Sequence, residues 1–289
     1  MIGCRCPVCT SDDPRNRRMR TSAAVRLETP SPLTGEGRGE GESRESRRQS
    51  PSPCPLPPGE RDAKRPPGDA ILLIDTTPEL RLQAVAAGLD RVDAVVYTHA
   101  HADHVMGFDD LRRFAEVAGA AIPVYAHPSA LARLQRLFEY AITDAGWRMF
   151  GIPVVDWRPW TGPVEVAGHR LTPVPLVHGV LPAFGVRIDA PDGASLAWCP
   201  DCGGIPEPSQ AMLADLDVLF LDALRHKPHP THFTVAEAVG AVRSLAPRQA
   251  YFIHMTHDLD HAATEAALPD LPEVPGGIRL AYDGLEVDV

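Results

Sequence analysis

Short apolar runs alternate with amphipathic stretches along most of this chain. The apolar runs have the length of buried strands, and the stretches between them have the period of helices. The predicted strands are 70–74, 92–98, 122–126, 218–222 and 250–254, and the predicted helices are 105–117, 129–140 and 234–245. This alternation predicts a layered α/β sandwich, in which helices cover sheets of parallel and antiparallel strands.

Three hairpins interrupt the alternation. Alternating apolar residues predict hairpins over 164–177 and 183–200, and Pro191-Asp192-Gly193 is a favourable turn for the second. A last hairpin is predicted to turn at Asp283-Gly284.

One segment, 28–69, does not fit this pattern. It is rich in Pro, Gly, Ser and mixed charge, and it has almost no large apolar residue, so we predict a disordered insertion. It separates the strand-like runs 23–27 and 70–74, so it could replace a hairpin turn inside a single domain of residues 1–289; the alternative is a linker or docking arm. Cys54 lies within it and is assigned no role.

Composition narrows the classes of function. The 289 residues are 44% hydrophobic and carry a formal net charge of −10. That charge argues against a nucleic acid or another polyanion as the main partner, although bound metals would still permit a small anionic substrate. No apolar run is long enough to span a bilayer and no export signal is recognisable, so we expect a cytoplasmic protein with no membrane partner. In a reducing compartment, the six cysteines favour thiolate or metal chemistry over disulfides.

The strongest chemical signal follows the predicted strand 92–98. His99, His101, Asp103 and His104 place four metal-ligand side chains in one strand-to-helix turn, which is more than one ion normally takes from a single loop. A site for two metals is implied. Three further candidates occupy equivalent positions at the ends of other predicted strands: His178, Asp201 and His254.

The stretch from Thr98 to Phe108 resembles the metal-binding motif of the metallo-β-lactamase superfamily, in the form found in its phosphodiesterase, glyoxalase II and tRNA-processing branches. The resemblance implies a four-layer αββα sandwich with the site at the edge of the sheets. It also implies two catalytic divalent ions, Zn or Mn, which can bridge a hydroxide that attacks phosphorus. The implied ligands are His99, His101 and His178 for one metal, Asp103, His104 and His254 for the other, and Asp201 between them.

A second motif narrows the branch. Cys4, Cys6 and Cys9 lie close together near the start of the chain and lack one ligand for a tetrahedral zinc site. With His257 they resemble the structural zinc site of the phosphoribosyl cyclic phosphodiesterase (PhnP-like) branch, which implies one structural Zn; otherwise they are loose terminal thiols. Members of that branch generally begin with a strand and a Gly-rich loop, so either the true start lies upstream or an edge strand is missing.

His232, just before the helix 234–245, matches an active-site histidine of the phosphodiesterase branch. We expect it to act as a general acid or to stabilise the leaving group; the alternative is a polar residue at a helix start capped by Thr234. Asp222 and Arg225 could orient ligands, whereas His226 and His229 are expected mainly in a solvated basic loop. His127, His169 and His261 are assigned no primary role. Cys199 and Cys202 form either a redox pair or, as we expect, two buried strand-end thiols.

These features together predict hydrolysis of a phosphodiester, with a small phosphorylated substrate such as a ribose 1,2-cyclic phosphate. The alternatives are a phosphodiesterase for RNA ends or nucleotides, and a non-catalytic metal-binding accessory protein in cofactor biosynthesis. A thioester hydrolase shares the His and Asp motif but lacks the cysteine trio. A homodimer is left open.

Overall fold

The structure is a computed structural model that describes residues 3–28, 69–142 and 151–289. Residues 29–68, which include Cys54, lie outside the described residues. The expected disorder of 28–69 therefore stays a prediction. The strands are β1 Ala23–Leu27, β2 Ala70–Ile74, β3 Ala94–Tyr97, β4 Ile122–Ala126, β5 Val155–Pro159, β6 Val164–Val166, β7 His169–His178, β8 Leu181–Asp189, β9 Ser195–Cys199, β10 Val218–Asp222, β11 Gln249–Ile253 and β12 Ile278–Leu280. The helices are α1 Leu80–Ala86, α2 Ala102–Val105, α3 Leu111–Ala118, α4 Pro128–Leu137, α5 Glu207–Met212, α6 Val235–Leu245 and α7 His261–Ala266, with 3₁₀ turns at Pro14–Asn16, Phe108–Asp110 and Glu139–Ala141.

These strands form two sheets. The first has the order β1-β2-β3-β4-β5, with β1 antiparallel to β2 and the remaining pairs parallel. The second has the order β12-β11-β10-β9-β8-β7-β6, parallel from β9 to β12 and antiparallel from β6 to β9. Most strands that lead to predicted ligands thus present their carboxyl ends at one edge of their sheet.

The two sheets pack face to face because alternate side chains of each strand point to opposite faces. Leu72, Ile74 and Val96 of the first sheet share a buried cluster with Val186 and Trp198 of the second. The opposite face of the first sheet packs on α1, α3 and α4, and that of the second packs around α6. The predicted four-layer αββα sandwich is confirmed.

Two predicted elements need correction. The helix expected over 105–117 is broken into α2, a 3₁₀ turn and α3, because the chain at Gly107 packs directly on Thr77. The predicted final hairpin does not form: Leu285 N–H donates to Tyr282 O in a turn at Asp283-Gly284, but residues 285–289 pair with no strand of the described structure. Instead β12 extends the sheet in parallel beside β11.

The other two hairpins are confirmed, and β7 also pairs with β8 along its whole length. The antiparallel pairing of β1 with β2 brings the two ends of 28–69 to adjacent strands, and the assignment of that segment as an insertion stays a prediction. Within the described ranges, no helix has the length and hydropathy that crossing a bilayer requires.

Candidate metal centre

The carboxyl ends of six strands supply the polar residues of one site. His99, His101, Asp103 and His104 follow β3, His178 ends β7, Asp201 follows β9 and His254 follows β11. Asp75 follows β2 and Asp222 ends β10. All seven predicted ligands are brought together at this edge of the sandwich.

One group joins three imidazoles to a carboxylate. Nε2 of His99 and Nε2 of His178 lie 2.9 and 3.3 Å from Nδ1 of His101. Both Nε2 atoms lie 3.6 Å from Oδ2 of Asp201. These are the three histidines and the aspartate that the resemblance assigned to one metal.

A second group lies on the other side of Asp201. Oδ1 of Asp201 is 3.0 Å from Nε2 of His104 and 3.5 Å from Nε2 of His254. Oδ2 of Asp103 lies 3.8 Å from Nε2 of His104 and 3.9 Å from Nε2 of His254. Each oxygen of Asp201 therefore faces a different group, which is the arrangement of a carboxylate shared between two ions.

Hydrogen bonds at Nδ1 fix which nitrogen three of the histidines present to the site. Nδ1 of His178 donates to Thr231 O, and Nδ1 of His104 donates to the carboxylate of Asp75 at 2.7 Å. The Thr98 hydroxyl donates to Asp75, so it accepts from Nδ1 of His99. In their neutral form, His99 and His178 therefore present unprotonated Nε2 atoms to the centre. The carboxylates of Asp201 and Asp75 raise the pKa of His104 well above its usual value despite its burial, so a bound cation would have to displace the proton from its Nε2.

The donor set fits divalent metals. Burial lowers the pKa of His99 well below its usual value and lowers those of His101 and His178, so these rings take the neutral form that binds metals. Among the described residues, the buried atoms Nε2 of His104 and Oδ1 of Asp201 make no hydrogen bond despite their short separation. Several lone pairs directed at common points repel each other unless a cation lies between them.

Asp75 is a functional residue that the sequence analysis missed. It is fully buried, has a positive φ of 61°, and accepts hydrogen bonds from Thr98 N, Thr98 Oγ1 and His104 Nδ1. Its contacts fix the start of the metal loop and the orientation of His104. Its position directly after the apolar run 70–74 was the available signal, because the predicted ligands follow strands in the same way.

The cysteine trio and His257 also come together. Sγ of Cys4 and Sγ of Cys6 lie 3.6 and 3.4 Å from Nδ1 of His257, and ligand atoms of Cys4, Cys6, Cys9 and His257 lie within 4.8 Å of one another. The contact with His257 is the main cause that lowers the pKa of Cys6 to about 6, which favours the thiolate that zinc requires. Three cysteine sulfurs and one imidazole form the ligand set of a closed tetrahedral zinc site.

The comparisons with known proteins agree with this geometry. Residues 71–255, well over half of the chain, match the family model described as the beta-lactamase superfamily domain. The chain belongs to the metallo-β-lactamase superfamily. The predicted PhnP-like branch is confirmed by a crystal structure described as a new diphosphatase from the PhnP family, which is 34% identical to this chain. That match has a TM-score of 0.75 and covers 100% of this chain and 91% of the other.

Two further relatives are informative. Zn²⁺-bound PqqB from Methylobacterium extorquens shares the fold, with a TM-score of 0.67 at 19% identity, over 100% of this chain and 95% of that one. A curated protein of Porphyromonas gingivalis (strain ATCC BAA-308 / W83), named octanoyltransferase, is 29% identical over 99% of this chain. The match covers 48% of that protein, so this chain spans about half of its length.

In this member of the metallo-β-lactamase superfamily, His232 also reaches the candidate metal centre. Its Nε2 lies 3.8 Å from Oδ2 of Asp201, and its Nδ1 bonds to Oδ2 of Asp222 at 2.6 Å. Thr234 does cap α6, as the alternative expected, and its side chain accepts from Glu237 N while His232 faces the site. Burial lowers the pKa of His232 to about 4, so the ring is neutral at pH 7 before substrate binds.

Asp222, which ends β10, bonds to His232 and lies 4.0 Å from Nδ1 of the predicted ligand His254. Arg225 bonds to no predicted ligand among the described residues. The guanidinium of Arg225 donates to the backbone oxygens of Lys227 and Pro228 within its own loop. His226 is exposed, but His229 is only partly so, and its ring centroid lies 4.9 Å from that of His232. His226 is therefore solvated, as expected, and His229 is partly solvated but also lies beside His232.

Cys199 and Cys202 are both fully buried, which confirms the strand-end interpretation. Burial raises the pKa of Cys199 to about 12 and also raises that of Cys202. Neither sulfur is a thiolate near neutral pH.

Proposed function

We propose that this chain is a two-metal phosphodiesterase that hydrolyses a small phosphodiester, with a cyclic ribose phosphate as the first candidate. The observation that carries the proposal is the position of Asp201, whose two oxygens face two separate groups of metal-ligand side chains. Paired metals at a shared carboxylate are typical of phosphoryl-transfer sites.

The ligands for zinc or manganese would be His99, His101 and His178 on one side, and Asp103, His104 and His254 on the other. Two such ions, when bound, would supply a water-derived nucleophile near neutral pH and would neutralise charge on the phosphoryl group. Cys4, Cys6, Cys9 and His257 would hold a third ion, a structural zinc.

The chain's own residues then handle the leaving group. His232 lies against Asp201, and Asp222 holds its Nδ1. An anionic phosphate beside this ring raises its pKa, since an opposite charge favours the protonated form. His232 can therefore pass a proton to the departing oxygen while Asp222 stabilises the imidazolium.

A diphosphate diester is the second candidate substrate. The observation that favours it is the 34% identity, along the whole chain, to a PhnP-family protein described as a diphosphatase. The same two-metal chemistry serves a P–O–P bond, whose leaving group is itself a phosphate.

Three other functions have less support. The net charge of −10 disfavours RNA, which is bound through clustered basic residues. A non-catalytic accessory role would not require the hydrogen-bonded pair of His232 and Asp222 beside the metal ligands. Octanoyl transfer, suggested by the name of the half-matched relative, finds no activated thiol at this site because burial keeps Cys199 and Cys202 protonated.

The test combines metal analysis of the purified protein with hydrolysis of bis-p-nitrophenyl phosphate before and after chelation. We expect about three metals per chain, from the two-metal site and the zinc clip, and turnover that is lost on chelation and restored by Zn²⁺ or Mn²⁺. Asp201→Asn should abolish turnover, whereas Asp109→Asn, at a half-exposed position, should not. Bound metal with no turnover in the wild-type protein would favour the accessory role.

A further inference from the structure

The loop between β10 and α6 is closed at its base and held beside the metal centre. Leu224 N–H donates to Phe233 O at 2.9 Å, and Val235 N–H donates to Arg225 O at 3.0 Å. Pro228 and Pro230 restrict the backbone between these two bonds. This closed segment, 225–233, presents its side chains from a fixed base.

Thr231 joins this loop to the metal ligands. Its carbonyl oxygen accepts from Nδ1 of His178 at 3.0 Å. Its backbone N–H donates to Nδ1 of His229, and its hydroxyl lies 3.3 Å from the same atom. A Cβ added at Gly179 would lie 2.9 Å from the Thr231 methyl group, so the loop packs closely on the β7–β8 turn. Thr231 therefore fixes the position of His229 relative to His178, because it bonds to both rings.

The bond from Thr231 also determines what His229 offers. A backbone N–H can only donate, so Nδ1 of His229 accepts and the neutral ring carries its proton on Nε2. Among the described residues, His229 makes no hydrogen bond other than those to Thr231. An N–H donor is therefore available next to His232, just outside the group that faces Asp201.

The positive charge of the loop favours the binding of an anion. Arg225 and Lys227 lie within it, in a chain whose formal net charge is −10. The Arg225 guanidinium is held by two backbone oxygens of the loop, which fixes a positive charge in the same short segment as His229. No acidic residue occurs between 223 and 236.

We propose that His229 is a specificity-determining residue that donates a hydrogen bond from Nε2 to the second phosphate of a diphosphate diester. The inference rests on the proposed function and commits to its second candidate substrate, a diphosphate diester, whose leaving group carries a phosphate of its own. His232 would donate a proton to the bridging oxygen, and His229, whose ring lies next to that of His232, would bind the departing phosphate.

The experiment compares two substrates on the metal-loaded enzyme. ADP-ribose supplies a diphosphate diester, which binds metals less tightly than free pyrophosphate and so does not strip the site, and bis-p-nitrophenyl phosphate has no second phosphate. His229→Ala should lower kcat/KM for ADP-ribose by about tenfold or more, mainly through KM, because it removes a hydrogen bond to a charged group. Hydrolysis of bis-p-nitrophenyl phosphate should change by less than about twofold, because that substrate lacks the contact.

Two further variants separate binding from structure. His229→Gln keeps an N–H donor and should recover most of the lost kcat/KM. His226→Ala removes an exposed imidazole from the same loop and should behave as wild type. Metal content and thermal midpoint should be the same for all three variants.

The outcomes are distinct. An equal loss on both substrates, no rescue by Gln, or failure of the wild-type enzyme to hydrolyse ADP-ribose would each overturn the role of His229. The last result, with bis-p-nitrophenyl phosphate still cleaved, would leave the proposed phosphodiesterase standing. Failure to cleave either substrate would remove the proposed function itself.

Discussion

At the scale of single residues, Asp75 shows that a metal site also depends on residues that position the ligands without binding the metal themselves. Its carboxylate holds Thr98 and His104 at the beginning and the end of the metal loop. The backbone adopts a positive φ to place it, a conformation that costs a non-glycine residue energy and persists only where the surroundings impose it. His104 can present an unprotonated Nε2 only while an acceptor faces its Nδ1.

Asp75→Asn should therefore lower metal affinity without unfolding the protein. The amide keeps the shape of the side chain but offers one acceptor instead of two, so Thr98 and His104 compete for it. We expect a loss of about 10- to 100-fold in affinity for the metal bound by His104, measured as metal content after dialysis against graded chelator. Asp109→Asn is the matched control, and full retention of metal by Asp75→Asn would contradict this role.

The pair His232 and Asp222 leads to a prediction about leaving groups. If His232 protonates the departing oxygen, its removal should matter most when that oxygen is a strong base. His232→Ala should slow hydrolysis of the phenyl ester of thymidine 5′-phosphate by about 100-fold or more and slow the p-nitrophenyl ester much less. Asp222→Asn should act in the same direction with a smaller effect. Equal losses on both esters would assign His232 to metal or substrate binding instead.

The clustering of the seven candidate residues could be predicted from the sequence because they occur in the segments that end or follow apolar runs, and the ends of parallel strands meet at one edge. Asp75 follows the same rule but lacks a histidine-rich neighbourhood to draw attention to it. The position of His229 could not be predicted, since it depends on the backbone of Thr231 and on contacts across the loop. Sequence patterns report residue types and not the direction of a hydrogen bond.

At the scale of elements, Gly107 explains why the helix expected over 105–117 is broken. Gly107 N–H donates to Thr76 O at 2.9 Å, and a Cβ added at Gly107 would lie 2.0 Å from Thr77 O. The chain can pass this close to the β2–α1 connection only without a side chain. The hydrophobic periodicity along 105–117 correctly predicts which face is buried. It cannot predict the contact between Gly107 and Thr77, which lies 30 positions earlier in the chain.

Gly107→Ala should consequently destabilise the fold. The added methyl group meets backbone oxygen, which cannot rotate away, so we expect a loss of about 1–3 kcal/mol and a lower thermal midpoint. Gly240→Ala is the matched control, because Gly240 lies in α6 with no atom within 4 Å of the new Cβ. That variant should gain about 0.5–1 kcal/mol from helix propensity. Equal midpoints for the two variants would show that the connection at Gly107 is not tightly packed.

At the scale of the whole molecule, contacts between distant parts of the sequence support the metal centre. Arg18 donates to Thr256 O at 2.7 Å, and the Asn16 side chain bonds both Asp260 and His261 N. With the cysteine clip at His257, these bonds attach the first described residues to the segment that follows His254. The order of the layers was predictable from alternating patterns, but this closure depends on single side chains more than 230 residues apart.

The pairing of β1 with β2 allows the connection 28–69 to be tested directly. Leu27 pairs with Ala70, so the ends of the connection lie about 5 Å apart, and a two-residue Asn-Gly turn can replace residues 29–68. Closing a loop roughly twentyfold shorter costs less entropy, by about 2.7 kcal/mol. We therefore expect the shortened chain to keep its metal content and its kcat/KM, and to unfold at a higher temperature in a thermal melt.

A scrambled segment of equal length separates the effect of length from that of sequence. If shortening and scrambling both abolished turnover while metal content stayed intact, the segment would be a docking arm that contributes to substrate binding, and the insertion hypothesis would be wrong.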